Sequence, residues 1–324
     1  MPVALTGIKP SGQPHLGNLL GMFRPALALA QQYETLYFIA DYHALTTLHD
    51  GASLRALTDE VAAAWLALGL DPERTLLYRQ SDVPQVMELS WILSCFTAKG
   101  LLDRAHAYKD AVAQQREVSA GTYTYPVLMS ADILAFDANF VPVGKDQKQH
   151  VEICRDIALR FNHVYGELLV PPQPLIPEAV QTIPGLDGRK MSKSYDNAIP
   201  LFAPPAALRK RVMQIQTDST PVEAPKDADA AVVFQLYRHF ATDEQAGDLR
   251  ARLTAGGTGW AVAKDALWQA IEHVVAEPRR RYVEWLGDRP RLHGVLAHGG
   301  ERARERAERR LRAVRRAVGA GASV

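Results

Sequence analysis

Val3-Ala4-Leu5-Thr6-Gly7-Ile8-Lys9-Pro10-Ser11-Gly12-Gln13-Pro14-His15-Leu16-Gly17-Asn18 is the stretch that decides how the chain is read. Val3 to Thr6 is a short apolar run closed by Gly7, the pattern of a buried strand. Gly7 to Pro14 is rich in glycine and proline and reads as a loop. His15 to Asn18 then opens a helix that runs to about Gln32. Outward from there, Leu36 to Ala40 is a second apolar run, ending at Asp41-Tyr42-His43. Ser53 is a good N-cap for a helix reaching about Leu68, which Gly69 ends. Thr75 to Gln80 reads as a third strand, and Glu88 to Phe96 as a strongly apolar helix. Strands alternating with helices in this order predict an α/β fold, a doubly wound parallel sheet. Such sheets bind ligands beyond the C-terminal ends of their strands, where Thr6-Gly7, Asp41 to His43 and Gln80-Ser81 fall.

Further on, Arg104 to Ala120 is polar, with Lys109 and Arg116, and reads as a mobile connection. Tyr125 to Phe136 is a helix with Tyr125, Met129, Asp132 and Phe136 on one face. Phe140 to Val143 is a short strand, and Gly144-Lys145-Asp146-Gln147 turns from it into a helix reaching about Phe161. Five prolines between Pro171 and Pro184 predict an irregular connection. After Pro204 the pattern is helical and lacks strands. Ala231 to Phe240, Trp260 to Val275, Pro278 to Trp285 and Glu301 to about Val318 are the main candidates. A boundary near Pro204 divides the chain into residues 1–204 and an all-helical C-terminal domain, residues 205–324.

At 324 residues, 47% apolar and 23% charged, the chain has the composition of a globular protein with room for two domains. It has no apolar run of about 18 residues, so no membrane span is expected. The N-terminus lacks a secretory pattern, so a cytoplasmic location is expected. Cys95 and Cys154 are too few for a disulfide framework or a thiolate metal site. The net charge of +1 conceals an asymmetry. From Arg279 onward there are 13 arginines, no lysine and 5 acids, a local balance of +8, leaving −7 for the rest. A basic tail suits a polyanionic partner such as nucleic acid, or is simply a solvated arginine-rich helix. The last helix carries eight arginines around a stripe of Ala303, Ala307, Leu311, Val314 and Val318.

The chemistry is concentrated in Gly188-Arg189-Lys190-Met191-Ser192-Lys193-Ser194. Two lysines and two serines behind a glycine can grip phosphates through ammonium charge, hydroxyls and loop amides. Alone, the stretch reads first as a solvated loop, and His15 to Asn18 as an ordinary helix start. Together they resemble the two signature motifs of class I aminoacyl-tRNA synthetases. His15-Leu16-Gly17-Asn18 resembles the first, His-Ile-Gly-His, and Lys190 to Ser194 matches the second letter for letter. Thr6 to Gly21, Tyr125 to Leu134 and Val141 to Glu152 look like the bacterial tryptophanyl-tRNA synthetases, and the likeness covers essentially the whole chain.

That resemblance implies a Rossmann-type catalytic domain and a helical tRNA-binding domain, with the last helices either in the latter or returned to the former. It implies that ATP, with its Mg²⁺, activates L-tryptophan to an adenylate, which then passes to tRNA(Trp). No prosthetic group or protein metal site is implied. Lys190, Ser192, Lys193, Ser194, His15 and Asn18 would carry catalysis. Lys9, Pro10, Ser11, Gly17, Asn18, Gly144, Asp146, Gln147, Lys190, Met191 and Lys193 would hold ATP. Leu5, Gly7, His43, Tyr125, Met129, Asp132, Val141, Val143 and Gln147 would line the tryptophan pocket, with Asp132 accepting the indole N–H. The arginine-rich last helix would meet the tRNA backbone, and two copies would form a homodimer, with the apolar helix Glu88 to Phe96 either at its interface or in the core.

Elementary chemistry supports the pocket. Indole N–H only donates and an aspartate carboxylate only accepts. Asp132 could instead pair with a local base, and Met129 could be plain core. A phenol would also donate to Asp132, so a tyrosyl enzyme stays open at this residue. So do a non-catalytic RNA-binding relative and an adenylyl-transferring enzyme without tRNA. Lys9, His15 and Lys145 depart from the commoner glutamine, threonine and glutamate of the family, each adding actual or potential positive charge. The lysine that the family uses before the pocket helix is not clearly matched; Lys109 is the candidate.

Overall fold

The computed structural model describes residues 1–113, 117–144, 147–176 and 182–321. The sheet has five parallel strands in the order β3-β2-β1-β4-β5. Along the chain, β1 (Val3–Ile8) leads through α1 (Leu16–Asn18), a π-helical turn (Leu19–Phe23) and α2 (Arg24–Leu29) to β2 (Glu34–Ile39). Next come α3 (Asp41–Ala44), α4 (Gly51–Ala67), β3 (Leu76–Arg79), α5 (Gln85–Ser94), α6 (Lys99–Leu102), α7 (His106–Ala113) and α8 (Ala120–Leu134). β4 (Phe140–Pro142), α9 (Lys148–Tyr165) and β5 (Gln173–Leu175) complete the α/β unit. The helical unit holds α10 (Pro205–Met213), α11 (Val232–Tyr237), α12 (Asp243–Ala255), α13 (Trp260–Gly287) and α14 (Arg289–Val318).

The doubly wound expectation follows from side-chain alternation. Leu36 and Phe38 of β2 and Leu76 and Tyr78 of β3 enter one core, with Phe136, Phe161 and Leu5. Tyr37, Ile39 and Leu77 enter the other, with Phe23 and Trp65. β2 and β3 are thus buried on both faces, so each reads as a continuous apolar run. The Trp65 ring stacks on Tyr37 with centroids 4.6 Å apart, which fixes α4 across the sheet.

Several expectations change. Asp50, not Ser53, caps α4: its carboxylate accepts the Ser53 N–H at 2.7 Å. The polar connection after Arg104 contains α7, while Arg116 lies outside the described residues. The proline-rich connection contains β5. Its Pro174 is tolerated because β5 has a neighbour on one side only. Trp260 to Trp285 is one helix, with Pro278 inside it, because Ala263, Leu267, Ile271, Val275 and Tyr282 form a single buried stripe.

The last helix differs most. It begins at Arg289 and spans 30 residues. Leu292 and Leu296 enter the core shared with the helical unit. Ala303, Ala307, Leu311 and Val314 enter the core under the opposite sheet face. At the crossing, a Cβ on Gly299 would lie 1.8 Å from the Leu77 carbonyl oxygen, so only glycine lets the helix pass that close to β3. Five of its ten arginines hold it there. Arg302 and Arg304 donate to the carbonyls of Pro72 and Asp82. Arg306 pairs with Glu34, Arg310 with Asp137, and Arg315 with Glu88. The helix expected to meet tRNA is thus a brace on the α/β unit.

Candidate functional site

Two cavities open at the C-terminal ends of the strands. The first, about 790 Å³, is floored by Leu5 and Gly7 of β1, Phe38 of β2 and Val141 of β4. Tyr125, Met129, Asp132 and Ile133 of α8 form one wall, His43 another, and Val143 and Gln147 the rim. All nine residues expected around the amino acid therefore line one cavity. Gly7 is required by packing: a Cβ there would meet the Phe38 ring at 2.4 Å. Ser119 caps α8 by accepting the Thr122 N–H, and so starts the helix one turn before Tyr125.

Asp132 is 2% exposed. Its carboxylate accepts from His43 Nε2 at 2.9 Å and from Gln80 Nε2, 2.9 Å from each oxygen. Burial pushes its pKa up, while the His43 and Gln80 hydrogen bonds pull it back. Asp41, also buried, accepts from the Tyr42 and Ser81 amides and the Ser81 hydroxyl, tying the ends of β2 and β3 together. Across the cavity, the Tyr125 hydroxyl lies 2.6 Å from His150 Nε2, and His150 Nδ1 lies 3.1 Å from Gln147 Oε1. Since Oε1 can only accept, Nδ1 carries the imidazole proton and Nε2 accepts from the phenol.

The second cavity, about 330 Å³, is lined by Lys9, Ser11, Gly12, His15, Asn18, Ser192, Lys193 and Ser194, among others. Lys9 lines both cavities and donates to the Thr46 hydroxyl at 2.9 Å. His15 and Asn18 form a reciprocal cap: His15 Nδ1 accepts the Asn18 N–H, and Asn18 Oδ1 accepts the His15 N–H. Burial, then Lys193, pushes His15 down to about 4. The imidazole is therefore neutral near pH 7 and adds no positive charge, against the expectation; its Nε2–H remains a donor. Lys193 is pushed down to about 8 by burial, with Glu60 acting the other way.

The two motifs touch. Met191 is buried, and its sulfur accepts the Gly17 N–H at 3.2 Å. The loop is pinned from behind by Asn197, which accepts the Ser192 N–H at 2.8 Å and donates to Asp187 at 2.7 Å. Of the expected nucleotide residues, Pro10, Gly144 and Lys190 do not line either cavity, and Gly17 and Met191 back the second from outside its lining. Lys109 is exposed on α7 and lines neither, whereas Glu117 and Thr122 line the first. Asp146 and Lys145 lie outside the described residues. Gln80, His150 and Asn197 were missed by the sequence reading. Only Gln80 carried a signal there, its position at a strand end.

One cavity is apolar with a single buried carboxylate; the adjoining one is cationic and hydroxyl-rich. Among the described residues, no three histidine, cysteine or carboxylate side chains gather as a metal site, and no helix is long and apolar enough to cross a membrane. The model of the family tRNA synthetases class I (W and Y) matches residues 2–275. A tryptophan–tRNA ligase from Bordetella parapertussis is 49% identical over 98% of this chain and 73% of its own length. One from Neisseria meningitidis is 47% identical over 97% of both chains. The crystal structure of a Campylobacter jejuni tryptophanyl-tRNA synthetase complexed with ADP and tryptophan superposes with a TM-score of 0.93, at 42% identity, over 98% of this chain and 99% of that one. Near-complete coverage at this identity, with both motifs in contact, leaves one assignment: the chain belongs to the class I aminoacyl-tRNA synthetases of the tryptophan and tyrosine branch, and within it to the tryptophan–tRNA ligases.

Proposed function

We propose that the first cavity seats L-tryptophan and the second the phosphates of ATP, with Lys9 between them. The observation that carries this is the shared wall: a half-buried ammonium faces both an aromatic-sized pocket and a phosphate-binding loop. The indole N–H points to Asp132, Met129 packs on the ring, and Tyr125 and Gln147 hold the ammonium and carboxylate. A carboxylate oxygen attacks the α-phosphorus, the α–β bridge bond breaks and pyrophosphate leaves. No protein nucleophile is needed; positioning and electrostatic stabilisation carry the step. Lys193, and Lys190 on loop closure, stabilise the leaving pyrophosphate, and the Ser192 and Ser194 hydroxyls, His15 Nε2–H and the Asn18 amide donate to phosphate oxygens. Mg²⁺ arrives with ATP as part of the substrate and offsets phosphate charge. The second cavity offers cations and hydroxyls, which suit phosphate oxygens rather than a bare metal ion. A terminal ribose hydroxyl of tRNA(Trp) then attacks the adenylate carbonyl and AMP leaves.

Contact with tRNA is assigned to the helical unit α10 to α13 together with the arginines of the last helix that do not brace it. Association as a homodimer is supported by α5, where Met87 and Trp91, with Cys95 just past its end, are exposed at four-residue spacing on one face. A cytoplasmic site of action fits translation. Amino-acid-dependent exchange of labelled pyrophosphate into ATP tests the reading. Exchange with tryptophan alone is expected; exchange with tyrosine, or with none of the twenty amino acids, would overturn it.

A further inference from the structure

We propose that Gln80 is a positioning residue for substrate choice: its side-chain amide holds Asp132 as a bare acceptor aimed at the indole N–H. The proposal rests on the tryptophan reading of the first cavity. Gln80 is 1% exposed and does not line that cavity, so it acts on a substrate only through a neighbour. Its orientation is fixed from both ends. Oε1 accepts the His43 backbone N–H at 3.3 Å, which only a carbonyl can do. Nε2 therefore faces Asp132 and spans both carboxylate oxygens at 2.9 Å. An NH₂ group set against both oxygens can only donate, so it favours the ionised carboxylate over the acid, whose O–H would meet a donor. His43 Nε2 adds a second donor to Oδ2. One side chain thus fixes the direction of Asp132, its charge, and the backbone that carries its other partner.

Without Gln80, opposition to protonation rests on His43 alone, whose hydrogen bond and charge pull hardest against burial even in the wild type. Asp132 is fully enclosed, and burial is the largest influence raising its pKa. The charged or titratable groups around it are His43 and Asp41 from α3, Tyr78 from β3 and Cys154 from α9. Asp41 and burial push towards the acid. Tyr78 and Cys154 are themselves pushed upward by burial and stay neutral at physiological pH. Only His43 remains as a donor. A protonated Asp132 still offers a carbonyl, but loses the charge-assisted bond, which is about twice as strong as a neutral one.

The test is Gln80→Met, nearly isosteric and without donors. Pyrophosphate exchange is measured with L-tryptophan and with its benzothiophene analogue, in which sulfur replaces the indole N–H, between about pH 6 and about pH 9. The wild-type preference for tryptophan, as a ratio of kcat/KM values, is expected to stay flat. In Q80M it should fall by about tenfold at the acid end, chiefly through KM, and recover as pH rises and Asp132 ionises. Equal loss for both substrates at every pH, or an unchanged ratio, overturns the proposal, because a purely structural role would not distinguish them. A measurement on the wild type guards against a variant that fails to fold. Carbon-13 carboxyl resonances, with Asp132 identified from Asp132→Asn, should show it ionised at pH 7. A protonated Asp132 at that pH with Gln80 in place also overturns it. Failure of the functional reading looks different: the wild type would then show no tryptophan-dependent exchange, whatever the ionisation of Asp132.

Discussion

Gly12→Ala should impair adenylate formation without touching tryptophan binding. Gly12 has φ +140°, a conformation that side chains rarely adopt. A Cβ there would lie 2.6 Å from Lys193 Nζ, 3.0 Å from its Cδ and 3.3 Å from its Cε. Comfortable contacts begin at about 3.5 Å, so the ammonium must retreat by roughly 1 Å. The obstacle is the end of a flexible side chain, so the chain still folds, with backbone strain of about 1–3 kcal/mol. A displacement of that size at a group meant to meet phosphate charge costs about 10²-fold in rate, or roughly 2.7 kcal/mol of barrier. The assay is tryptophan-dependent pyrophosphate exchange, with circular dichroism as a check on folding. The loss should appear in kcat and in KM for ATP, while KM for tryptophan holds, since Gly12 borders only the second cavity. Adding Gly12→Ala to Lys193→Ala should cost far less than adding it to the wild type, because the group it displaces is already gone. Exchange within about threefold of wild type would refute the argument that Lys193 works from beside Gly12.

Further outcomes are expected at Lys193, Asp132, His150 and Gly299. Lys193, held at about 8, should lose its proton as pH rises through that value, so exchange with the free enzyme should weaken there, and Lys193→Arg should remove that alkaline limb from the pH profile. In the same window the unfolded chain keeps a lysine proton that the folded chain has lost, so this group's contribution to stability rises with pH, from about 8 towards the ordinary lysine range. Asp132→Asn should lower kcat/KM for tryptophan by about 10²-fold in steady-state exchange, with far-ultraviolet dichroism unchanged. His150→Phe removes the group between Tyr125 and Gln147 and should raise KM for tryptophan by about tenfold while KM for ATP holds, as read by the same assay. Gly299→Ala should destabilise the chain by about 3 kcal/mol in denaturant unfolding, because its Cβ would strike the Leu77 carbonyl of a core strand, which cannot move aside.

The sheet was legible because a strand buried on both faces leaves a plain apolar run, and β1, β2 and β3 each do. β5 was not, since two of its neighbouring prolines and Pro174 itself disguise an edge strand that needs hydrogen bonds on one side only. The gathering of residues at the first cavity was legible through resemblance: all nine expected around an amino acid line it. Its supports were not. Gln80, His150 and Asn197 act through the residues they touch, and such contacts run between elements far apart in sequence. Gln80 reaches Asp132 across 52 positions. Nothing in a local pattern separates such a buried amide or imidazole from an ordinary polar residue at a strand end or on a helix. His15 shows the same limit for charge. Its sequence neighbours suggest a possible cation, and only the enclosure beside Lys193 makes it neutral.

The arginine-rich helix shows why charge alone does not describe what a surface does. Eight arginines around a narrow apolar stripe look like a nucleic-acid footprint, because composition counts charges without their partners. In the fold that stripe is the part that matters. Its small residues, Ala303 and Ala307, with Gly299 and Gly300 before them, let α14 lie directly on β3 and the turn after it. A helix seated that closely brings its flanking side chains level with the carbonyls and carboxylates at the sheet's edge. Arginine reaches them with a planar fork that can make two contacts at once: Arg315 donates two hydrogen bonds to Glu88, and Arg310 donates to the Leu168 carbonyl while pairing with the Asp137 carboxylate. The same 30 residues begin in the helical unit, through Leu292 and Leu296. The helix therefore ties the unit assigned to tRNA to the strand whose C-terminal end presents Gln80 and, through it, Asp132.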